Sequence, residues 1–170
     1  LANHGYSIKA LDNRPLPADL RMENVAPAYA DVADGLAMMT AASDCDAIAH
    51  LAAYPAPMHH TSAELLRVNV IGTQNVLDAA KANGIERVAL TSSIGALGFS
   101  FPTHPCLPDY LPVDIAHPRR PQDIYGVSKV ASEECAAAAT RQTGITTILF
   151  RPPFVIDLEQ AKREGCLLRM

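Results

Sequence analysis

No stretch of the sequence approaches the roughly 20 consecutive apolar residues that a membrane-crossing helix needs, and no charged-then-apolar leader opens it. A soluble protein is expected. An excess of one charge is lacking too: the net charge of -4 and the pI near 5.8 leave no basic field for a nucleic-acid backbone, and no run of like charge reads as a tail. Small molecules are the expected partners. The four cysteines, Cys45, Cys106, Cys135 and Cys166, stand far apart with no CxxC or metal-ligand spacing, which suits a reducing, cytoplasmic setting. What the chain does have is hydrophobic content, 49% over 170 residues, enough to bury the core of one domain.

Apolar runs of strand length alternate with helical stretches, the pattern of parallel strands joined by helices. Strands are expected at "YSIKALD" (6–12), "DAIAHLA" (46–52), "RVALTSS" (87–93) and "TTILFR" (146–151), with a weaker one at "VAPAYA" (25–30). Their sequences are apolar on both faces, which predicts a parallel sheet covered by helices on each side. Helices are expected at 34–42, 61–83 and 123–143, the last two stopped by Gly84 and Gly144. The fold class is therefore α/β, a doubly wound, Rossmann-like parallel sheet. The opening "LANHGYSIKALD" begins at Leu1 and reads as the end of a helix turning into a strand, so the sheet is expected to be incomplete at both ends. Phe99 to Arg120, with Pro102, Pro105, Pro108, Pro112 and Pro118, is the long loop, and such loops are usually functional or disordered.

Ligands of a doubly wound sheet bind beyond the carboxyl ends of its strands, where Asp12, Ser93 and Arg151 fall; Tyr125 follows the long loop. Tyr125 and Lys129 are four apart and share a face if Tyr125 starts a helix. Chance alone gives such a pair in roughly one chain in eight of this composition, so the spacing by itself decides nothing. The bland alternative is a tyrosine packed under a solvated lysine. The functional reading has a mechanism: a phenol is a poor base near neutrality, and a neighbouring ammonium favours the phenolate. Ser93 could add a hydroxyl on the other side of a substrate oxygen, although Ser92 and Ser93 could equally satisfy backbone groups where a strand ends. Tyr54, His59 and His60 have no acidic partner at ligand spacing and read as neighbours of a helix start, so no metal site is expected.

Taken in order, Asp12 at a strand end, "ADVAD", "HLAA", "NVIGTQNVLDAAKANGIERVALTSSIGALG", "HPRRPQDIYGVSK" and "LFRPPFVI" resemble the extended short-chain dehydrogenase/reductases, the NAD-dependent epimerase/dehydratase family, over nearly the whole chain. The resemblance implies that Tyr125 is the catalytic base or acid, that Lys129 favours its phenolate and holds the nicotinamide ribose, and that Ser93 orients the substrate oxygen. It implies that Asn69 supports the lysine through water; otherwise Asn69 is a helix asparagine bonded to a nearby carbonyl. Cofactor contacts are implied for Asp12, Asn13, Asp31, Val32, Leu51, Ala52, Ala53, Tyr125, Lys129 and Pro152. Asp12 would accept the adenosine ribose hydroxyls and repel the extra phosphate of NADP, so NAD is favoured, while Arg14 leaves NADP open.

The sequence also departs from that family. None of its nine glycines forms the phosphate-binding GxxGxxG, so these residues alone are expected to bind NAD poorly. Phe154 and Asp157 stand where the best-known epimerases carry asparagine and a common glycine, and Ile94 and Gly95 follow Ser93 where dehydratases carry Asp-Glu, so elimination is not expected. The resulting expectation is a Rossmann-like domain over 1–155, lacking its first strand, with a substrate-binding part starting at 156–170. Its function would be an NAD-dependent oxidoreductase or epimerase for a sugar or sugar nucleotide, and a homodimer through helices 61–83 and 123–143. The alternatives are a non-catalytic, cofactor-sensing regulator and an inactive truncated product.

Overall fold

Each apolar run does fold as a short strand: β1 (Ile8–Asp12), β2 (Val25–Tyr29), β3 (Ile48–His50), β4 (Arg87–Thr91) and β5 (Thr146–Phe150). The computed structural model describes residues 1–153 and 155; Phe154, Asp157 and the expected start of a substrate-binding part lie outside them. β1 pairs in parallel with β2, and β3, β4 and β5 form a second parallel sheet in that order. Among the described residues the strands therefore form two sheets rather than one. The opening stretch is a single helical turn, Ala2–His4, closed by left-handed Gly5, before β1 begins.

Local chemistry sets the helix ends. Asp34 caps α1 (Gly35–Ala41) by accepting from the Ala37 N–H at 3.1 Å. Thr61 and Glu64 form a reciprocal capping box, from which α2 (Ser62–Leu66) runs through a wide π turn at Arg67–Ile71 into α3 (Gly72–Ala82). Asp123 caps α4 (Ile124–Thr143), and Gly144 ends it at φ 78°. Among the described residues no helix is long and apolar enough to cross a membrane.

The core lies where α3 and α4 cover the face of the second sheet that carries Val88 and Leu90, joined by Met38 of α1 and by Val76, Leu77 and Ala136. Burial on both faces, expected from sequence, is not complete within the described residues. Ile148 and Phe150 of β5 pair with Ala89 and Thr91, away from Val88 and Leu90, and each is 54% exposed. α3 and α4 cover only the Val88 face, so apolar composition alone overstates the burial of β5.

Candidate active site

The carboxyl end of β4 delivers three consecutive residues to α4. The Thr91 carbonyl accepts a hydrogen bond from Lys129 Nζ at 2.9 Å. The Ser92 hydroxyl donates to Glu133 Oε1. Ser93 caps the single turn Ile94–Leu97, its Oγ accepting from the Gly95 N–H at 3.0 Å, which leaves the hydroxyl hydrogen free to donate elsewhere. Tyr125 and Lys129, one turn apart on α4, are both buried, and Nζ lies 5.7 Å from the phenol ring centroid. Phe101 from the long loop meets that ring edge-on, with centroids 5.8 Å apart. The loop is ordered rather than loose: His117 is buried, accepts from the Asp109 N–H through Nε2 and packs against Phe99 and Tyr110.

Two glycines permit this approach. A Cβ on Gly95 would stand 3.0 Å from Tyr125 Cε1 and 3.3 Å from Ser93 Oγ, so the phenol ring and the serine hydroxyl converge on the space that the missing side chain leaves. A Cβ on Gly126 would meet the Gly95 carbonyl oxygen at 2.5 Å and Pro121 Cβ at 2.6 Å. Gly126→Ala is therefore expected to push the first turn of α4 off the Ser93 turn. The expected cost is about 1–3 kcal/mol of stability in denaturant melts, together with a drop in turnover of at least about tenfold from the misplaced phenol.

Behind this triad runs a buried polar seam. Asn69, on the π turn, accepts from the Tyr54 N–H at 2.8 Å and donates to the Tyr54 carbonyl and to Ser128 Oγ. Its own carbonyl accepts from the hydroxyls of Thr73 and Ser132, an arrangement suited to a wide turn, whose carbonyls are open to side-chain donors. Asn69 thus ties the loop after β3 to α4 through direct bonds to backbone and serine groups. Sequence reasoning missed Thr73, Ser128, Ser132 and His50, whose Nε2 lies 3.1 Å from Thr73 Oγ1. The available signal was two polar pairs at i, i+4, Asn69 with Thr73 and Ser128 with Ser132, on helices that pack face to face.

A cavity of about 10 Å3, room for one water, is lined by His50, Asn69, Thr73, Thr91 and Lys129. Burial lowers the Lys129 pKa to about 8. Burial, and then the Lys129 charge, lower that of His50 to about 4. His50 is therefore neutral when folded at a pH where the unfolded imidazole takes up a proton, so acid favours unfolding through the window from about 6.5 down to 4. Between about pH 7 and about pH 5 this group alone should remove about 2 kcal/mol of stability. His50→Gln should lose that increment less, as read from the difference between the two proteins in urea melts at both pH values.

Through His50, Ala52 and Ala53 the small cavity shares walls with a cleft of about 910 Å3 between the two sheets. Asp12, Asn13, Arg14, Asp31, Val32, Leu51, Ala52 and Ala53 stand along it, but much of its wall is apolar core, with Leu11, Met38, Ile48, Val68 and Val76. Asp12 Oδ1 accepts from the Arg14 N–H at 2.8 Å, and the Arg14 side chain lies 3.6 Å away. The Ala33 N–H and the Arg67 guanidinium, 2.9 Å from Oδ2, hold the Asp31 carboxyl below its usual range. His60 stacks on Tyr54 at 3.5 Å along the same wall. Pro152 is not in this lining; its carbonyl faces the Ile94 N–H beside the Ser93 turn. The structure thus brings Ser93, Tyr125 and Lys129 together and sets Asp12, Asn13, Asp31, Val32, Leu51, Ala52 and Ala53 around one cleft; of the other expected cofactor residues, Lys129 lines only the small cavity, and Tyr125 and Pro152 line neither. Asp12 in the cleft fits the ribose hydroxyls of NAD, while Lys129 lies beyond the wall of His50, Ala52 and Ala53 that the cleft shares with the small cavity. No glycine lines the cleft among the described residues, so the close backbone cradle for a pyrophosphate is not part of it.

The model of the NAD dependent epimerase/dehydratase family matches residues 1–157. The chain is 36% identical over 137 residues to an NAD-dependent glucose-6-phosphate dehydrogenase of Haloferax volcanii, covering 75% of this chain and 52% of the relative. It is 31% identical over 121 residues to a uronate dehydrogenase of Pseudomonas putida, covering 71% and 42%. A solved short-chain dehydrogenase/reductase superfamily protein from Agrobacterium tumefaciens, with bound NAD, superposes with a TM-score of 0.76 at 27% identity, over 88% of this chain and 42% of that one. The chain spans about half the length of the curated relatives it matches.

Proposed function

Because the chain belongs to the NAD dependent epimerase/dehydratase family, we propose that the protein oxidises a hydroxyl group of a sugar, sugar acid or sugar nucleotide with NAD. The observation that carries this reading is the convergence of Ser93 and Tyr125 on Gly95, with Lys129 one turn along α4. The relatives named as glucose-6-phosphate and uronate dehydrogenases support the substrate class.

In this reading NAD, held at its adenosine ribose by Asp12, would supply the acceptor for the hydride of the carbinol carbon. Tyr125 takes the proton of the substrate hydroxyl through its phenol oxygen. Ser93 donates its free hydroxyl hydrogen to the same substrate oxygen and holds it as the carbonyl forms. The Lys129 ammonium places a positive charge 5.7 Å from the centre of the phenol ring. Asp12 holds the adenosine ribose and opposes a phosphate there, an opposition that the adjacent Arg14 weakens. Epimerisation is the second reading, in which the same triad would serve oxidation of the sugar and its reduction on the other face before release.

The protein is further proposed to be cytoplasmic and to form a homodimer through α2, α3 and α4, since Ile71 and Val127 are 51% and 42% exposed on those helical segments. Sedimentation equilibrium tests this, and a monomer would reject it. The functional test incubates the complete protein with NAD and a panel of aldoses, uronates and sugar nucleotides, following NADH absorbance and product identity. Accumulating NADH supports dehydrogenation, and an isomerised sugar without NADH supports epimerisation. Tight NAD binding with neither signal would replace both with a cofactor-sensing regulator.

A further inference from the structure

One carboxylate outside the triad bonds the ends of β4 and β5 and the exit of the long loop. Glu133 follows Lys129 by one turn and is only 4% exposed. Its Oε1 accepts from Ser92 Oγ at 2.5 Å and from Arg151 Nε at 2.7 Å, and its Oε2 accepts from Arg151 Nη2 at 2.7 Å and Arg119 Nη1 at 3.1 Å. Four bonds thus reach one buried carboxylate from the end of β4, the end of β5 and the last residues of the long loop. Burial opposes its charge, yet the bonds from Arg151, Ser92 and Arg119 hold the carboxyl below its ordinary range.

We propose that Glu133 is a positioning residue, which fixes Ser93 against Tyr125 and holds the 99–122 loop over the site through Arg119. The geometry is a three-point attachment of one strand end to one helix. Thr91 is held by Lys129, Ser92 by Glu133, and Ser93 meets Tyr125 across Gly95. Tyr125, Lys129 and Glu133 recur at four-residue intervals, so they form one stripe of α4. The bond at Ser92 lies between the other two and sets the register of both. Arg119 carries the same constraint into the loop: it also pairs with Glu134, and a Cβ on Gly98 would lie 2.4 Å from the neighbouring Arg120 carbonyl oxygen, so the exit of the loop is pressed against the Ser93 turn. Phe101, which rests on the Tyr125 ring, belongs to that loop.

The inference rests on the proposed reaction for its kinetic readout but not for its structural one. Glu133→Gln leaves two guanidinium groups facing one amide, so the sharper variant is Arg119→Gln, which keeps the bidentate Arg151 pair and releases only the loop. In the complete protein Arg119→Gln is expected to lower kcat/KM for the sugar about 10- to 100-fold, the penalty of a small misplacement. NAD affinity should stay within about twofold, because no cleft residue is touched. Arg119→Lys, which keeps a cation in reach of the carboxylate, should recover part of the loss. Amide hydrogen exchange should quicken across 93–122 and stay unchanged in α3. Unchanged kcat/KM, or equal losses in sugar turnover and NAD affinity, would overturn the proposal. If the wild-type protein turns over no sugar, the proposed function fails and the exchange measurement alone decides: unaltered protection across 93–122 overturns the positioning role, and quickened exchange there supports it.

Discussion

Tyr125→Phe is expected to lower turnover by about 10²–10⁴-fold, the usual worth of a positioned acid or base, while NAD affinity changes by less than about twofold. The phenylalanine ring keeps the edge-on contact with Phe101 and the contact with Gly95, and Lys129 stays bonded to the Thr91 carbonyl. Only the oxygen that takes the substrate proton is lost. Stopped-flow turnover beside a direct NAD titration separates the two effects, and turnover within about threefold of wild type would remove Tyr125 from the chemistry.

Lys129→Met should show function and stability moving in opposite directions. Turnover should fall by at least about 10²-fold, since no cation then stands near the phenol. Stability should rise. The folded pKa of Lys129 is about 8, below the unfolded value, so the unfolded state binds more protons between about 8 and 10.5 and stability rises with pH through that window. Below about pH 8 both states carry the charge and the whole cost of burying it, about 3 kcal/mol, is present. Methionine removes that cost but leaves the Thr91 carbonyl without its donor, a loss of about 1 kcal/mol. A net gain of about 2 kcal/mol near neutral pH is expected. Denaturant melts should show the gain shrinking as pH climbs from about 8 to 10.5. A variant no more stable than wild type at pH 7 would contradict the burial argument.

The parts of this molecule that were legible in its sequence are those fixed by neighbours along the chain. Helix α4 could be bounded to within a residue because Asp123 caps it and Gly144 stops it. The five strands were legible as apolar runs, but β3 pairs for only three residues, because Leu51 leaves the sheet for the cleft rim and is 71% exposed. The π turn was not legible: Leu65, Asn69, Gly72 and Val76 fit a continuous α-helical stripe, and the wider turn is set by bonds from Asn69 to Tyr54, Ser128 and Ser132, up to 63 residues away.

The candidate site divides in the same way. The Tyr125 and Lys129 pair is local and stood out, and Ser93 followed from its place at a strand end. Glu133 did not stand out, because its partners Arg119, Arg151 and Ser92 lie 14, 18 and 41 residues away and a glutamate on a helix usually faces water. His50 escaped notice for a similar reason: its burial depends on Thr73 of the facing helix.

The central claim is that Ser93, Tyr125 and Lys129 serve hydride transfer from a sugar carbinol to NAD. The most direct measurement supplies the complete protein with a sugar substrate deuterated at the carbinol carbon and follows the label by mass spectrometry. The deuterium is expected in the reduced nicotinamide, or for an epimerase back on the same carbon of the product, and Tyr125→Phe is expected to stop the transfer. Deuterium released to water instead would show proton abstraction at carbon and contradict the account.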